Sequence, residues 1–233
     1  MTGPGDHVTV AAVHQPVMGT HLEVRVTAAS DQVARAAEAA IVAEARRLER
    51  VFTVFDPSSE LCAWRSGAVA VAGPELSALL GLAAWWQERT DGVFNPFTGV
   101  LTDRWLQAER DQAVPAAGEL AELAGSIAAP RFAVEPGAGV RPTVSCRGLD
   151  LNALAKGHVV DLVVARAWAS FDLDRLVLNA GGDLVHRGEG SARVGVEDPH
   201  RAYDNVAPIA VVPVSDQAVA TSGRARRWFS VGG

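Results

Sequence analysis

Asp150 and Lys156 place a carboxylate and an ammonium six positions apart in the stretch Leu149-Asp150-Leu151-Asn152-Ala153-Leu154-Ala155-Lys156-Gly157-His158-Val159-Val160-Asp161. The stretch opens apolar, as the end of a strand does, passes through small residues, and takes up helical spacing through Val160, Val164 and Trp168. A strand that feeds a helix through small residues leaves unpaired backbone N–H groups where an anion or phosphate can sit. Lys156 stands at that turn and is the only lysine in the chain; every other strongly basic side chain is arginine. An ammonium is a compact point charge and a guanidinium a wide fork, so the two are not interchangeable beside a phosphate. The alternative is a buried strand–helix junction whose lysine simply reaches solvent.

The elements that must position these groups come from a chain of 233 residues, enough for one large domain or two small ones. Its hydrophobic share of 48% and charged share of 21% are ordinary for a globular protein. A formal charge of −6 with dispersed arginines argues against a nucleic-acid partner. Cys62 and Cys146, the only cysteines, fit no metal or redox spacing. Met1 to Val13 shows neither a signal peptide nor a lipid-attachment cysteine, and no run approaches a membrane span, so a cytoplasmic protein is expected.

Strict alternation over His21–Thr27 predicts a strand, with Met18-Gly19-Thr20 at its start. A helix capped by Ser30 or Asp31 should follow, its apolar stripe running through Val33, Ala37, Ile41, Leu48 and Phe52. Phe55–Glu60 is a turn in which Asp56 or Ser58 could cap the next segment. A short strand is expected over Ala68–Ala72, then a helix begun by Pro74 and ending near Asp91-Gly92. The loop Val93-Phe94-Asn95-Pro96-Phe97-Thr98-Gly99 holds two aromatics, which serve either a flat ligand or the core. Leu101–Gly125 should be helical with a break at Pro115, and Phe132–Val134 and Thr143–Cys146 are strand candidates. Strands are also expected over Arg175–Asn179, running into Ala180-Gly181-Gly182-Asp183, and over Arg193–Glu197 and Ile209–Ser215. Ala218–Gly223 reads as a polar loop, and Arg227–Gly233 as a strand entering a hairpin turn. The mixture predicts a single α/β domain over residues 1–233, of mixed α+β character.

Taken in order, these pieces resemble the FAD:protein FMN transferases, the ApbE-type flavin transferases, from Val17 to about Phe229. The resemblance rests on Met18-Gly19-Thr20, Ser59-Glu60-Leu61, Gly92-Val93-Phe94-Asn95-Pro96 with Gly99, and Asp150 through Ala155-Lys156-Gly157 to Asp161. It continues through Asn179-Ala180-Gly181-Gly182-Asp183, Val194 to Pro199, and Thr221-Ser222-Gly223. It implies an ApbE-like fold of mixed sheets and packed helices. It also implies an enzyme that takes FAD and Mg²⁺, cleaves the pyrophosphate, and joins FMN to a threonine of a target flavoprotein. Such chemistry needs phosphate charge neutralised and the attacking hydroxyl held in line. Carried over by position, Met18 and Phe55 would lie near the flavin, and Val93, Phe94 and Asn95 would run along the cofactor. Asp150 and Lys156 would contact FAD, and Ala153 would offer its carbonyl to the metal. Asp183, Thr221, Ser222 and Gly223 match motifs of the same cleft. No residue is singled out as catalytic.

Asn95 stands where the family usually has an aspartate, Asn152-Ala153 replaces a glycine-containing pair, and Cys62 and Arg65 replace a serine and an asparagine. The family's later His-x-x-Asp-Pro segment, and the aspartate and threonine that complete its metal site, are not expected from anything after Phe229. Mg²⁺ asks for an oxygen octahedron including carboxylate. The expectation is therefore a flavin transferase domain lacking its C-terminal metal-binding part. A non-catalytic FAD-binding protein and an FAD pyrophosphatase releasing FMN and AMP remain as alternatives.

Overall fold

A computed structural model describes residues 7–135, 139–201, 206–223 and 229–232. The strands are β1 (Val8–Val17), β2 (Thr20–Ala28), β3 (Phe132–Glu135), β4 (Gly139–Pro142), β5 (Arg175–Ala180), β6 (Asp183–Gly188), β7 (Ala192–Val196), β8 (Ala210–Val214) and β9 (Ala218–Ala220). The helices are α1 (Asp31–Phe52), α2 (Glu60–Ser66), α3 (Pro74–Arg89), α4 (Gly99–Asp111), α5 (Ala117–Ser126) and α6 (Asn152–Ser170). Mixed α+β architecture is thus what the chain adopts. Its residues fall into two compact units, the first formed by residues 1–49 and 156–227, the second by 50–155 and 228–233.

The first unit is built on a sheet of order β1-β2-β5-β6-β9, every neighbouring pair antiparallel. Alternation puts Leu22, Val24, Val26 and Ala28 on one face of β2, opposite Ala180, Leu178 and Leu176 of β5. All of these are buried, as a sheet with one covered face requires. Ser30 caps α1 through its hydroxyl and carbonyl, as its sequence position predicts. The α1 stripe of Ala34, Ala37, Ile41, Ala45 and Leu48 is buried, as are Val159, Val160, Val163 and Val164 of α6. Glu38 of α1 bonds His14 of β1, Arg166 of α6 pairs with Glu44 of α1, and Arg187 of β6 lies over Trp168 of α6. Strand β1 lies where no strand is predicted: at the sheet edge only Val17 is buried, and the other side chains alternate merely between half-exposed and exposed. Strand β9 lies where a polar loop was expected; three residues, paired only to β6, are too few to show a pattern.

The second unit gathers Trp64, Phe97, Leu76, Leu79 and Leu80, all fully buried. Phe132 meets Trp64 and Phe97 at ring separations of 6.0 Å each, and Trp64 Nε1 donates to the Val140 carbonyl at 3.0 Å. Pro74 opens α3 as expected, and Pro115 falls in the break between α4 and α5. Several expectations are corrected. Ser59, not Asp56 or Ser58, caps α2, receiving the Cys62 N–H at 3.1 Å, while Asp56 folds onto Ser58. Ala68–Ala72 forms no strand: a single bond from Ala72 N to Val140 O is its only ladder-like contact among the described residues. The partner of β3 is Gly139–Pro142 rather than Thr143–Cys146, with Phe132 opposite Pro142 and Glu135 opposite Gly139. Leu149–Leu151 is not a strand end but a buried irregular segment leading into α6. Phe229 to Gly232 carry no strand; Phe229 stacks on Trp105 instead, and Arg227, Trp228 and Gly233 lie outside the described residues.

Candidate functional site

In the first unit, two tight turns meet beside Lys156 of α6. Strands β1 and β2 are joined through Met18 and Gly19 with φ of 52° and 68°, and Val17 faces Thr20 in the register. Positive φ at both central residues is the hairpin geometry whose twist matches the flanking strands. At the same end of the sheet, β5 passes to β6 through Gly181 and Gly182, with φ of 56° and 100°. A Cβ on Gly181 would come within 2.3 Å of Thr20 Oγ1, so conformation and space both demand glycine there. Asn179 Oδ1 receives the Gly182 N–H at 3.1 Å, and Gly182 O receives the Thr221 N–H at 3.0 Å. The motifs around Met18, Asn179–Asp183 and Thr221 therefore share one corner.

Lys156 reaches into that corner. Its Nζ lies 3.0 Å from Asp183 Oδ2 and donates to the Gly181 carbonyl at 3.3 Å. Both side chains are partly buried, 29% and 20% exposed. An ammonium has three N–H donors; with two directed at these partners, the third has no partner among the described residues. Lys156 is thus held by Asp183 and the Gly181 carbonyl while keeping part of its surface toward solvent. Met18 is half-buried, and Thr221, Ser222 and Gly223 are exposed.

The second unit holds the other residues singled out by sequence. Thr90 Oγ1 receives the Phe94 N–H at 2.9 Å, and Asp91 and Gly92 turn the chain with positive φ. Val93 is 89% exposed and Phe94 half-buried, while Phe97 plugs the core. Asn95 is a bracket: its Nδ2 donates to Ile127 O at 2.8 Å and its Oδ1 accepts from Phe97 N at 2.8 Å. Asp150 N donates to Pro96 O at 2.7 Å and Gly99 N to Gly148 O at 3.1 Å, pinning the loop to the segment before α6. Asp150 Oδ1 accepts the Asn152 N–H at 2.8 Å, so a carboxylate already satisfies one of the free donors at the α6 start. Burial pushes the nearby Cys146 thiol up from its ordinary range. Phe55 stands 87% exposed.

Ala153 sits in the first turn of α6, where the helix directs its carbonyl toward the amide four residues on. Among the described residues no three His, Cys, Asp or Glu side chains come together to hold a metal. These residues do not by themselves supply the carboxylate-bearing oxygen shell that Mg²⁺ requires. Nor is any described helix long and apolar enough to cross a membrane.

A mixed α+β scaffold, with a lysine–aspartate pair set on a glycine turn, defines the class, and comparison with known proteins gives the family. Residues 18–233 match the ApbE family, and the chain belongs to it. It is 30% identical over 225 residues to a protein of Rhodobacter capsulatus called FAD:protein FMN transferase, a match covering 93% of this chain and 42% of that protein. A protein of the same description from Treponema pallidum (strain Nichols) is 31% identical over 194 residues, covering 72% of this chain and 51% of its own length. The chain thus spans about half or less of the length of these curated relatives. Its fold is that of the solved ApbE protein of Thermotoga maritima (TM-score 0.77, 24% identity, 98% of this chain and 74% of that one). The apo flavinyl transferase ApbE of Pseudomonas stutzeri is similar too (TM-score 0.72, 19% identity, 93% and 70%).

Sequence reasoning found Lys156 and Asp183 separately but not their pairing, which depends on a contact 27 residues away in the chain. It also passed over Thr20 and Asn179 as shapers of the turn, although both lie within quoted motifs.

Proposed function

We propose that this chain handles FAD in the transfer of FMN to a protein, the activity by which its relatives are named. The observation that carries this reading is the Lys156–Asp183 pair on the Gly181-Gly182 turn, within a chain of the ApbE family. Lys156 supplies positive charge to the pyrophosphate, and Asp183 and the Gly181 carbonyl fix where that charge stands. Met18 and Thr221 to Gly223 border FAD on the first unit. Phe55, Val93, Phe94, Asn95 and Asp150 are assigned to FAD by their positions in the family's motifs alone. Should Mg²⁺ bind, Ala153 is the position the family resemblance would assign a carbonyl ligand, but the described residues gather no carboxylate set around it. The acceptor is a threonine hydroxyl of a target flavoprotein.

The test is to incubate the intact protein with FAD, Mg²⁺ and a flavoprotein that carries an acceptor threonine, then read the target's mass and its in-gel flavin fluorescence. Covalent FMN on the threonine supports the reading. FMN and AMP released without an adduct would replace it by FAD hydrolysis, and FAD binding without either product would replace it by a non-catalytic flavin-binding role.

A further inference from the structure

In the first unit, His186 of β6 is 1% exposed and is the only buried histidine among the described residues. It lies outside every motif on which the family resemblance rests. Its Nδ1 receives the Asp216 N–H at 3.2 Å, so the imidazole proton belongs on Nε2, which is buried with no partner among the described residues. An N–H left unmatched inside a protein costs free energy that an apolar side chain would not incur. What a histidine adds here is therefore the acceptor at Nδ1. The backbone repeats the attachment: His186 N donates to Gln217 O at 3.0 Å, and Asp216 Oδ1 receives the Gly188 N–H at 2.9 Å. Asp216 makes these bonds with a φ of 48°, a conformation that L side chains rarely adopt. The turn between β8 and β9 is thereby buckled onto β6. Strand β9 begins two residues on and pairs Ala218 with Val185 and Ala220 with Asp183, and Thr221 N then donates to Gly182 O.

We propose that His186 is a positioning residue: its neutral imidazole holds the β8–β9 turn on β6, keeps β9 paired beside Asp183, and lets go when it takes a proton from solvent. A protonated imidazole carries N–H on both nitrogens. Nδ1 then presents a donor to the Asp216 N–H, and the bond between them is lost. The row of His186 runs through Val177 to Arg25 of β2, and Glu23 of β2 and Arg175 of β5 stand in neighbouring rows of the same face. Arg175 spends Nη2 on Ser191 O at 2.8 Å. The adjoining turns add Asp216, whose carboxylate is on Gly188 N, and Glu189, and β7 adds Arg193. None of these charged side chains bonds a ring nitrogen, so a proton gained at Nδ1 meets no carboxylate there. Three ladder residues are little to hold β9 once its turn is released. Asp183 is the partner of Lys156, so the consequence for ligand handling, weaker FAD binding in acid, rests on the function proposed above.

Hydrogen exchange of the intact protein, read by mass spectrometry at about pH 7.5 and about pH 5.5 with intrinsic rates divided out, brackets ordinary imidazole titration and tests the buckle. Protection over residues 216–221 should fall roughly ten-fold or more on acidification of the wild type, the loss typical of a hydrogen bond. It should stay level in His186→Asn, whose Oδ1 takes the place of Nδ1 as an acceptor that does not titrate. In His186→Phe it should be low at both pH values. Ring ¹⁵N shifts of the wild type at the higher pH should place the proton on Nε2, a reading that needs no variant. A proton on Nδ1 overturns the inference, as does an acid response that is absent from the wild type or equally large in His186→Asn. FAD titration of the same samples is scored separately. Affinity should fall on acidification of the wild type and fall less in His186→Asn; the same pH course in both overturns the positioning role. FAD binding with the exchange unchanged removes only this inference, and the exchange response without FAD binding removes only the FAD reading.

Discussion

Replacing Gly181 by alanine should damage the Lys156 corner through two additive faults. The first is conformational, since φ at this position is +56° and an L-residue in the left-handed region costs about 1–2 kcal/mol. The second is steric, since the new Cβ would lie 2.3 Å from Thr20 Oγ1 and 3.0 Å from Thr20 Cβ. A β-branched side chain at a hairpin turn has little room to turn away, and overpacking of this kind costs about 1–3 kcal/mol. Together they predict a loss of about 2–5 kcal/mol. For a chain of this length that lowers Tm by roughly 4–20 °C. Thermal melts of the wild type, Gly181→Ala, Thr20→Ala and the double variant separate the faults. Thr20→Ala should recover about 1–3 kcal/mol in the Gly181→Ala background and leave the conformational cost in place. Because the Gly181 carbonyl accepts from Lys156, FAD affinity should fall in Gly181→Ala and recover only in part in the double variant. A Gly181→Ala protein melting within about a degree of wild type, or a double variant no better than the single, would refute the account of this turn.

Lys156→Ala should weaken FAD binding by roughly ten- to a hundred-fold, the range for losing a charge-assisted hydrogen bond, as read by isothermal titration. Asp183→Asn should weaken it less while steepening its salt dependence, since the ammonium loses its fixed carboxylate and meets the ligand from a looser position. Asn95→Asp should destabilise the protein by about 1–3 kcal/mol in urea unfolding, because the Nδ2 that donates to Ile127 O becomes an oxygen facing a carbonyl. Stability should also fall as pH rises above the ordinary thiol range. Burial raises the folded pKa of Cys146, so the unfolded chain loses its proton first, and stability present below the unfolded value is lost as pH climbs through the folded one. Cys146→Ala should flatten that part of the pH profile.

Legibility in the sequence followed the physics of pattern. Strand β2 and helix α1 were readable because each buries one face, so alternation over His21–Thr27 and the stripe from Ala37 to Leu48 are printed in residue type. Edge strand β1 alternates only between half-exposed and exposed side chains until Val17, and β9 is too short to show a pattern. The apolar Leu149 and Leu151 imitated a strand because burial, not pairing, is what apolar residues report. The glycine turn was visible as Gly181-Gly182, whereas its reason, the approach of Thr20, exists only once β2 and β5 are paired. His186 gave no signal at all, since a histidine beside Arg187 looks like ordinary surface polarity until its burial is known.

The lone lysine gains its meaning from what surrounds it. The partners at Nζ are a carboxylate oxygen at 3.0 Å and a backbone carbonyl at 3.3 Å, on the two sides of a single turn. A guanidinium would meet a lone carboxylate through its planar fork, covering both carboxylate oxygens and pulling away from the carbonyl. A tetrahedral ammonium can bond both partners and still direct a third N–H elsewhere. The chain uses arginine at every other strongly basic position, including Arg35, Arg47 and Arg104, each paired with a carboxylate. Lysine at 156 is therefore the choice that leaves a donor with no partner among the described residues. Asp183 fixes where that donor stands, and the double-glycine turn lets the Gly181 carbonyl come close enough to share the task.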